Sequence, residues 1–176
     1  KPVYNDLAAA LASLGRHEEA IPYAKRVLEE SPSHGPALGT LITCLSSLER
    51  YHEARLALDG ASACGFDPAS LPRGMMRNIA MVYFVTGDKA KCIPYCEMAL
   101  EGAPNDYDCT RMVGVACFDT NQFARGLGHY LNGLKHRPNC PKLCLGAARC
   151  YHRLGQVDMA RKYAHLARIR DPGIDL

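Results

Sequence analysis

Apolar residues recur three and four positions apart along nearly the whole chain, in runs punctuated by Gly, Pro and polar residues. That spacing belongs to helices that each bury one face. Val3, Leu7, Ala8, Leu11 and Leu14 predict a helix over about 3–14. Gly15 is placed to end it, as a residue that takes positive φ at a helix C-terminus. Ala20, Ile21, Ala24, Val27 and Leu28 predict a second helix over about 18–30. Its first residues, Glu18 and Glu19, suit the positive end of a helix dipole, and Pro32 stops it. Pro22 is expected near the first turn, where a missing amide costs little.

The stretch Gly15–Pro32 then returns as Gly87–Pro104. Both copies carry Gly, Ile-Pro-Tyr, Leu-Glu and a closing Pro at the same spacing, 72 residues apart. That distance is about twice the ~34 residues of a helix–turn–helix repeat. Between and beyond the copies the same two-helix pattern recurs. Repeats are expected over about 1–32, 33–68, 73–104, 105–138 and 139–172 as one continuous array. The step is 34 residues except from the second repeat to the third, where it is 38. The four extra residues belong in the connection Gly65–Pro72, where two prolines and a glycine mark a loop. The fourth repeat is the weakest helix former, because Gly114, Gly126, Gly128 and Gly133 each cost about 1 kcal/mol against Ala.

Three columns of small residues recur in register. The first holds Ala8, Ala80, Gly114 and Ala148, with Ile42 as the exception. The second holds Ala20, Ala54, Cys92, Gly126 and Ala160; the third holds Ala61, Ala99, Gly133 and Ala167, with Val27 as the exception. Closing prolines stand at Pro32, Pro68, Pro104, Pro138 and Pro172. On these columns the chain resembles the tetratricopeptide repeat family over essentially its whole length. It departs from the family in keeping an opening aromatic only at Tyr4 and in having no Trp. The resemblance implies an all-α, right-handed superhelical solenoid of antiparallel helix pairs, and a protein–protein interaction scaffold or adaptor without catalysis.

A second resemblance is to the pentatricopeptide family, whose solenoids bind single-stranded RNA. Val3–Leu7 looks like the opening of such a repeat, and the endings Gly65–Pro68 and Gly102–Asn105 are similar to that family's. Its base-reading place is filled suitably by Asn5 but not by Gly39, Arg77, Arg111 or Leu145. A regulatory domain of a larger enzyme is the third class.

In the tetratricopeptide arrangement the first helix of each pair lines a concave groove. The resemblance puts Arg77, Asn78, Met81 and Phe84 there from the third repeat, and Arg111, Met112, Val115, Phe118 and Asp119 from the fourth. Lys142, Leu145, Arg149, His152 and Arg153 come from the fifth. The expected groove has an apolar middle of Met81, Phe84, Met112, Val115 and Phe118, with basic residues toward the C-terminal half. Methionines adapt to apolar anchors and arginines pair with carboxylates, so the implied ligand is a peptide with apolar anchors and acidic flanks. The two-carboxylate clamp of chaperone-binding relatives is absent. Its places hold Asn5, Ala9, Thr40, Gly74 and Asn78.

Composition adds boundaries. A net charge of +3 over 176 residues is too small to argue for nucleic acid. No apolar run approaches the ~20 residues of a membrane span. Nine cysteines, an odd number without a CxxC pair, fall mostly at small core positions. They are expected to be reduced structural thiols in a cytoplasmic setting, with nuclear or organellar sites as alternatives. Neither a metal nor a cofactor is expected, although Cys92 and Cys96 share a helix face. No HExxH or phosphate loop is present, and no local nucleophile signature stands out. Lys1 in place of Met suggests an excised or processed piece, and further repeats are expected to be able to precede it. Arg161, Lys162, His165, Arg168 and Arg170 make a polar last helix that suits a natural end. The end faces of a solenoid need capping, which leaves self-association open.

Overall fold

The computed structural model describes residues 2–175. Among them are ten α-helices and no strand. The residues form two compact units, Lys1–Asp88 and Lys89–Leu176, each with its own interior. None of the helices is long and apolar enough to cross a membrane.

The first unit holds α1 (Pro2–Ser13), α2 (His17–Glu30), α3 (Gly35–Ser47), α4 (Tyr51–Ala63) and α5 (Met76–Val85). Each helix packs on the next, and α3 also packs beside both α1 and α5. The second unit holds α6 (Lys89–Gly102), α7 (Tyr107–Asp119), α8 (Phe123–His136), α9 (Pro141–Arg153) and α10 (Val157–Arg170). There too each helix packs on the next, and α7 lies beside α9.

One turn is used five times. After α1, α3, α5, α7 and α9 a residue takes positive φ: Gly15 (75°), Glu49 (57°), Gly87 (88°), Asn121 (60°) and Gly155 (75°). The following amide can reach back five residues, as in Arg16 N–H to Leu11 O (2.9 Å) and Gln122 N–H to Cys117 O (2.7 Å). This closes the helix end by satisfying carbonyls that have no intrahelical donor. Side chains cap several helix starts. His34 Nδ1 accepts from Ala37 N–H at 3.2 Å, and Asp106 Oδ1 accepts from Cys109 N–H at 3.0 Å.

Leu38, Ile42, Leu45 and Leu58 are fully buried in the first unit, and Ile93, Val113 and Leu143 are in the second. The small columns are interior: Ala8, Ala20, Ala54, Cys92 and Ala167 expose nothing. Seven of the nine cysteines are buried and all are free; Cys64 is the exposed one. The Cys92 and Cys96 sulfurs lie 3.5 Å apart. Hydrogen bonds with Cys109 and Cys92, together with burial, push the Cys96 thiol up from its ordinary range.

Three expectations change. Val3 (68% exposed), Leu7 and Leu14 (71%) do not join the core. α1 packs on α2 and α3, so only the side carrying Ala8 and Leu11 is covered. Pro22 is not in the first turn but is the sixth residue of α2, and Pro94 holds the same place in α6. Each removes an amide that would bond to the carbonyl four residues back, on Glu18 or Ala90. Both prolines are exposed, as are Glu18 and Ala90, so water reaches the orphaned carbonyls. Finally, the connection Gly65–Pro72 does not stay loose. It forms a 3-10 turn at Pro68–Ser70, capped by Asp67, and a second follows at Arg73–Met75.

Candidate functional site

The extra residues between α4 and α5 close part of the first unit's surface. Phe66 lies against Gly35, where a Cβ would meet its ring at 3.3 Å. Met75 lies over Gly39, where a Cβ would stand 2.8 Å from its Sδ. Gly39 is therefore buried, and the base-reading place of the pentatricopeptide resemblance is covered in this repeat. What stays open here is a cleft of about 480 Å³ walled by Ala9, Ala12, Thr40, Thr43 and Leu71. No charged side chain borders it.

The predicted site residues divide between the units. Arg77, Asn78, Met81 and Phe84 lie on α5 of the first; Arg77 is exposed and the other three are half-buried. The remaining residues lie on α7 and α9 of the second. Met112 is a correction: it is fully buried and presents nothing to a ligand. Most of α7 is covered, with Cys109, Thr110, Val113, Gly114, Ala116 and Cys117 also inside, so little of its surface is left for binding.

The second unit gathers the others around two adjoining clefts. The first, about 270 Å³, is bordered by Arg111, Val115 and Phe118 from α7 and by Lys142, Leu145 and Arg149 from α9. The second, about 320 Å³, shares Phe118, Leu145 and Arg149 and adds His152 and Arg153. Ala148, Ala160 and Ala164 make it mainly apolar. Phe118 and Leu145 thus form an apolar ridge common to both.

The cations differ in how firmly they are held. Arg153 stacks on Phe123 at 4.4 Å and on Phe118 at 5.6 Å, and these rings meet edge-on at 5.3 Å. A guanidinium over two rings is attracted by their negative faces and kept in place. Lys142 and Arg149 form no hydrogen bond or ion pair among the described residues and are exposed.

Tyr130 is the residue that sequence reasoning missed at this site. It belongs to α8, behind α7 and α9, and is 4% exposed. Its ring lies between Gly114 of α7 and Gly146 of α9. A Cβ on either glycine would come within 2.7 Å of the ring's Cε2 and closer still to its Cζ. Through this gap Tyr130 reaches the smaller cleft. Burial pushes its phenol well above the ordinary range, against the pull of Arg149 and Arg111. The hydroxyl keeps its proton at neutral pH and is available as a donor. The glycines are visible in the sequence, but Gly146 lies outside the repeated small columns, so only the packing shows what it is for.

Chemically the site offers apolar surface, cations and one phenolic donor. Among the described residues no group of three or more His, Cys, Asp or Glu could hold a metal ion.

Comparison with known proteins gives a family match over part of the chain and a likeness of fold. Residues 7–74 match the tetratricopeptide repeat family. No curated protein matches the chain significantly in sequence. Among solved structures, YrrB, described as a TPR protein with an unusual peptide-binding site, superposes with a TM-score of 0.77 at 18% identity. That match covers 97% of this chain and 86% of YrrB. MamA in its AMB-1 C2221 form also gives 0.77 at 18% identity, over 97% of this chain and 98% of MamA. A further crystal structure of MamA gives 0.70 at 16% identity, over 99% of this chain and 96% of that one. Residues 7–74 thus carry the sequence signature of the tetratricopeptide repeat family, and the fold is similar to that of solved tetratricopeptide repeat proteins.

Proposed function

We propose that the protein is an interaction scaffold, and that its second unit binds a peptide segment of another protein along α7 and α9. The observation that carries this is the ridge of Phe118 and Leu145 between two clefts, with Arg149 on the border of both. The ridge supplies apolar area for an anchor side chain, and the cations draw acidic residues beside it. YrrB's description as a peptide-binding TPR protein supports the ligand class at the level of fold. The covered Gly39 weighs against the alternative of base-by-base RNA reading. Seven buried free thiols suit a reducing compartment, which we take as the setting.

Selection from a random peptide library tests this reading. Retained peptides are expected to carry an aliphatic or aromatic residue next to Asp or Glu. Retained peptides that are basic or lack an apolar anchor would contradict it.

A further inference from the structure

The apolar cleft between α9 and α10 has cations on its border and no carboxylate. Leu145, Ala148, Ala160 and Ala164 supply apolar lining, and Arg149, Arg153 and Arg161 supply the charge. Arg153 is committed to the rings of Phe118 and Phe123. Arg149 and Arg161 are exposed and form no hydrogen bond or ion pair among the described residues. The occupant that matches this border has an apolar side chain for the alanines and carboxylates beside it for the two arginines.

The chain carries such a segment in the same unit, directly after α10. Residues 171–176 read Asp-Pro-Gly-Ile-Asp-Leu, with Ile174 between two aspartates and no cation. The segment is already turned: Ile174 N–H donates to Asp171 O at 3.1 Å, and Gly173 N–H donates to Asp171 Oδ1 at 3.2 Å. Pro172 stands at the second place of this turn, where its fixed φ favours it. A turn formed in advance loses less freedom on binding than a loose tail does. The turn also keeps Ile174 within about 7 Å of Asp171. Ala160 and Arg161 lie about 14–15 Å back along α10 from Arg170. The turned tail therefore stops short of the cleft of its own copy, and none of residues 171–175 borders it. Pro172, Gly173 and Asp175 are exposed, so the tail is open to another molecule.

We propose that the occupant of this cleft is the tail Asp171–Asp175 of a second copy of the chain, with Ile174 on the alanines and Asp175 toward Arg149 and Arg161. This rests on the peptide-binding reading of the second unit and names its partner. A segment this short covers less than the roughly 800 Å² per partner of a stable interface, so the association is weak and depends on concentration.

The test is sedimentation velocity of the full chain over a range of concentrations. The wild type is expected to gain mass as concentration rises. Ile174→Glu, Arg161→Glu and Asp175→Lys should each need at least about tenfold more protein to associate, with helical circular dichroism unchanged. An equimolar mixture of Arg161→Glu and Asp175→Lys should associate again, because the reversed charges then meet across copies. Alongside, a labelled peptide of residues 171–176 with both ends capped is titrated with the Ile174→Glu chain, whose own tail no longer competes. It should bind saturably, and Arg161→Glu added to that chain should weaken it about tenfold. Association that persists in all three variants would overturn the assignment, and so would a monomeric wild type that binds the capped peptide. A library-selected peptide that binds while the tail peptide does not would sink this inference and leave the peptide scaffold standing. Failure of both peptides would remove the peptide-binding reading as well.

Discussion

The ring of Tyr130 occupies the space that a side chain on Gly146 would need. Gly114 also abuts this ring, so α7 and α9 close around a residue that starts on α8. The contact sets how closely the two helices bordering the candidate site can approach. Gly146→Ala should therefore destabilise the protein by about 1–3 kcal/mol, although Ala is the better helix former. In a Tyr130→Leu background the same change should be nearly neutral or stabilising. Urea denaturation of the four proteins in this cycle measures the coupling.

Gly128 lies in α8 with nothing within 4 Å of the place for a Cβ. Without a neighbour to make room for, Gly128→Ala should raise stability by about 1 kcal/mol. Its thermal melting temperature, set beside that of Gly146→Ala, separates helix propensity from packing.

Glu49 takes a φ of 57° at the turn where Gly15, Gly87 and Gly155 stand in other repeats. A Cβ is strained there, and the exposed Glu49 side chain forms no hydrogen bond or ion pair among the described residues. Glu49→Gly is expected to stabilise by about 0.5–1 kcal/mol, measured by urea denaturation. No gain would mean that the turn places little strain on its residue.

The 34-residue period, the helix pairs and the Gly15 turn are legible in the sequence, because every repeat meets the same local geometry. Irregular contacts are not legible. Analogy between repeats assigns Met112 to the groove, yet α7 is covered on most of its surface. Gly39 looks open from the repeat pattern, which cannot tell where Met75, in the turn just before α5, will lie. Tyr130 reads as an ordinary apolar position of an outer helix. Its passage to the cleft depends on two glycines 32 residues apart, and only one of them falls in a repeated column.

Glu97 joins α6 to α8. Its carboxylate accepts from Arg125 Nε at 2.9 Å and pairs with His129 Nε2 at 3.0 Å. Burial alone would raise its pKa, but the bonds from Arg125 and His129 outweigh burial and hold the carboxyl below the ordinary range. A depressed folded value means the contribution is complete above the unfolded pKa of about 4.3 and is lost as pH falls through the folded one. Glu97→Gln should cost about 0.5–1 kcal/mol at pH 7, reduced by solvent screening, and the gap should narrow as pH falls below the unfolded value. Urea denaturation of both proteins across an acid pH series checks it.

The proposed peptide site rests on the ridge of Phe118 and Leu145 beside Arg149. Calorimetric affinity of a library-selected peptide for the wild type, Leu145→Glu and Arg149→Glu tests it most directly. Both variants are expected to keep the helical circular dichroism and to bind at least about tenfold more weakly, a loss near ~1.4 kcal/mol each. Unchanged affinity in both, with the fold intact, would place the peptide elsewhere and contradict the account.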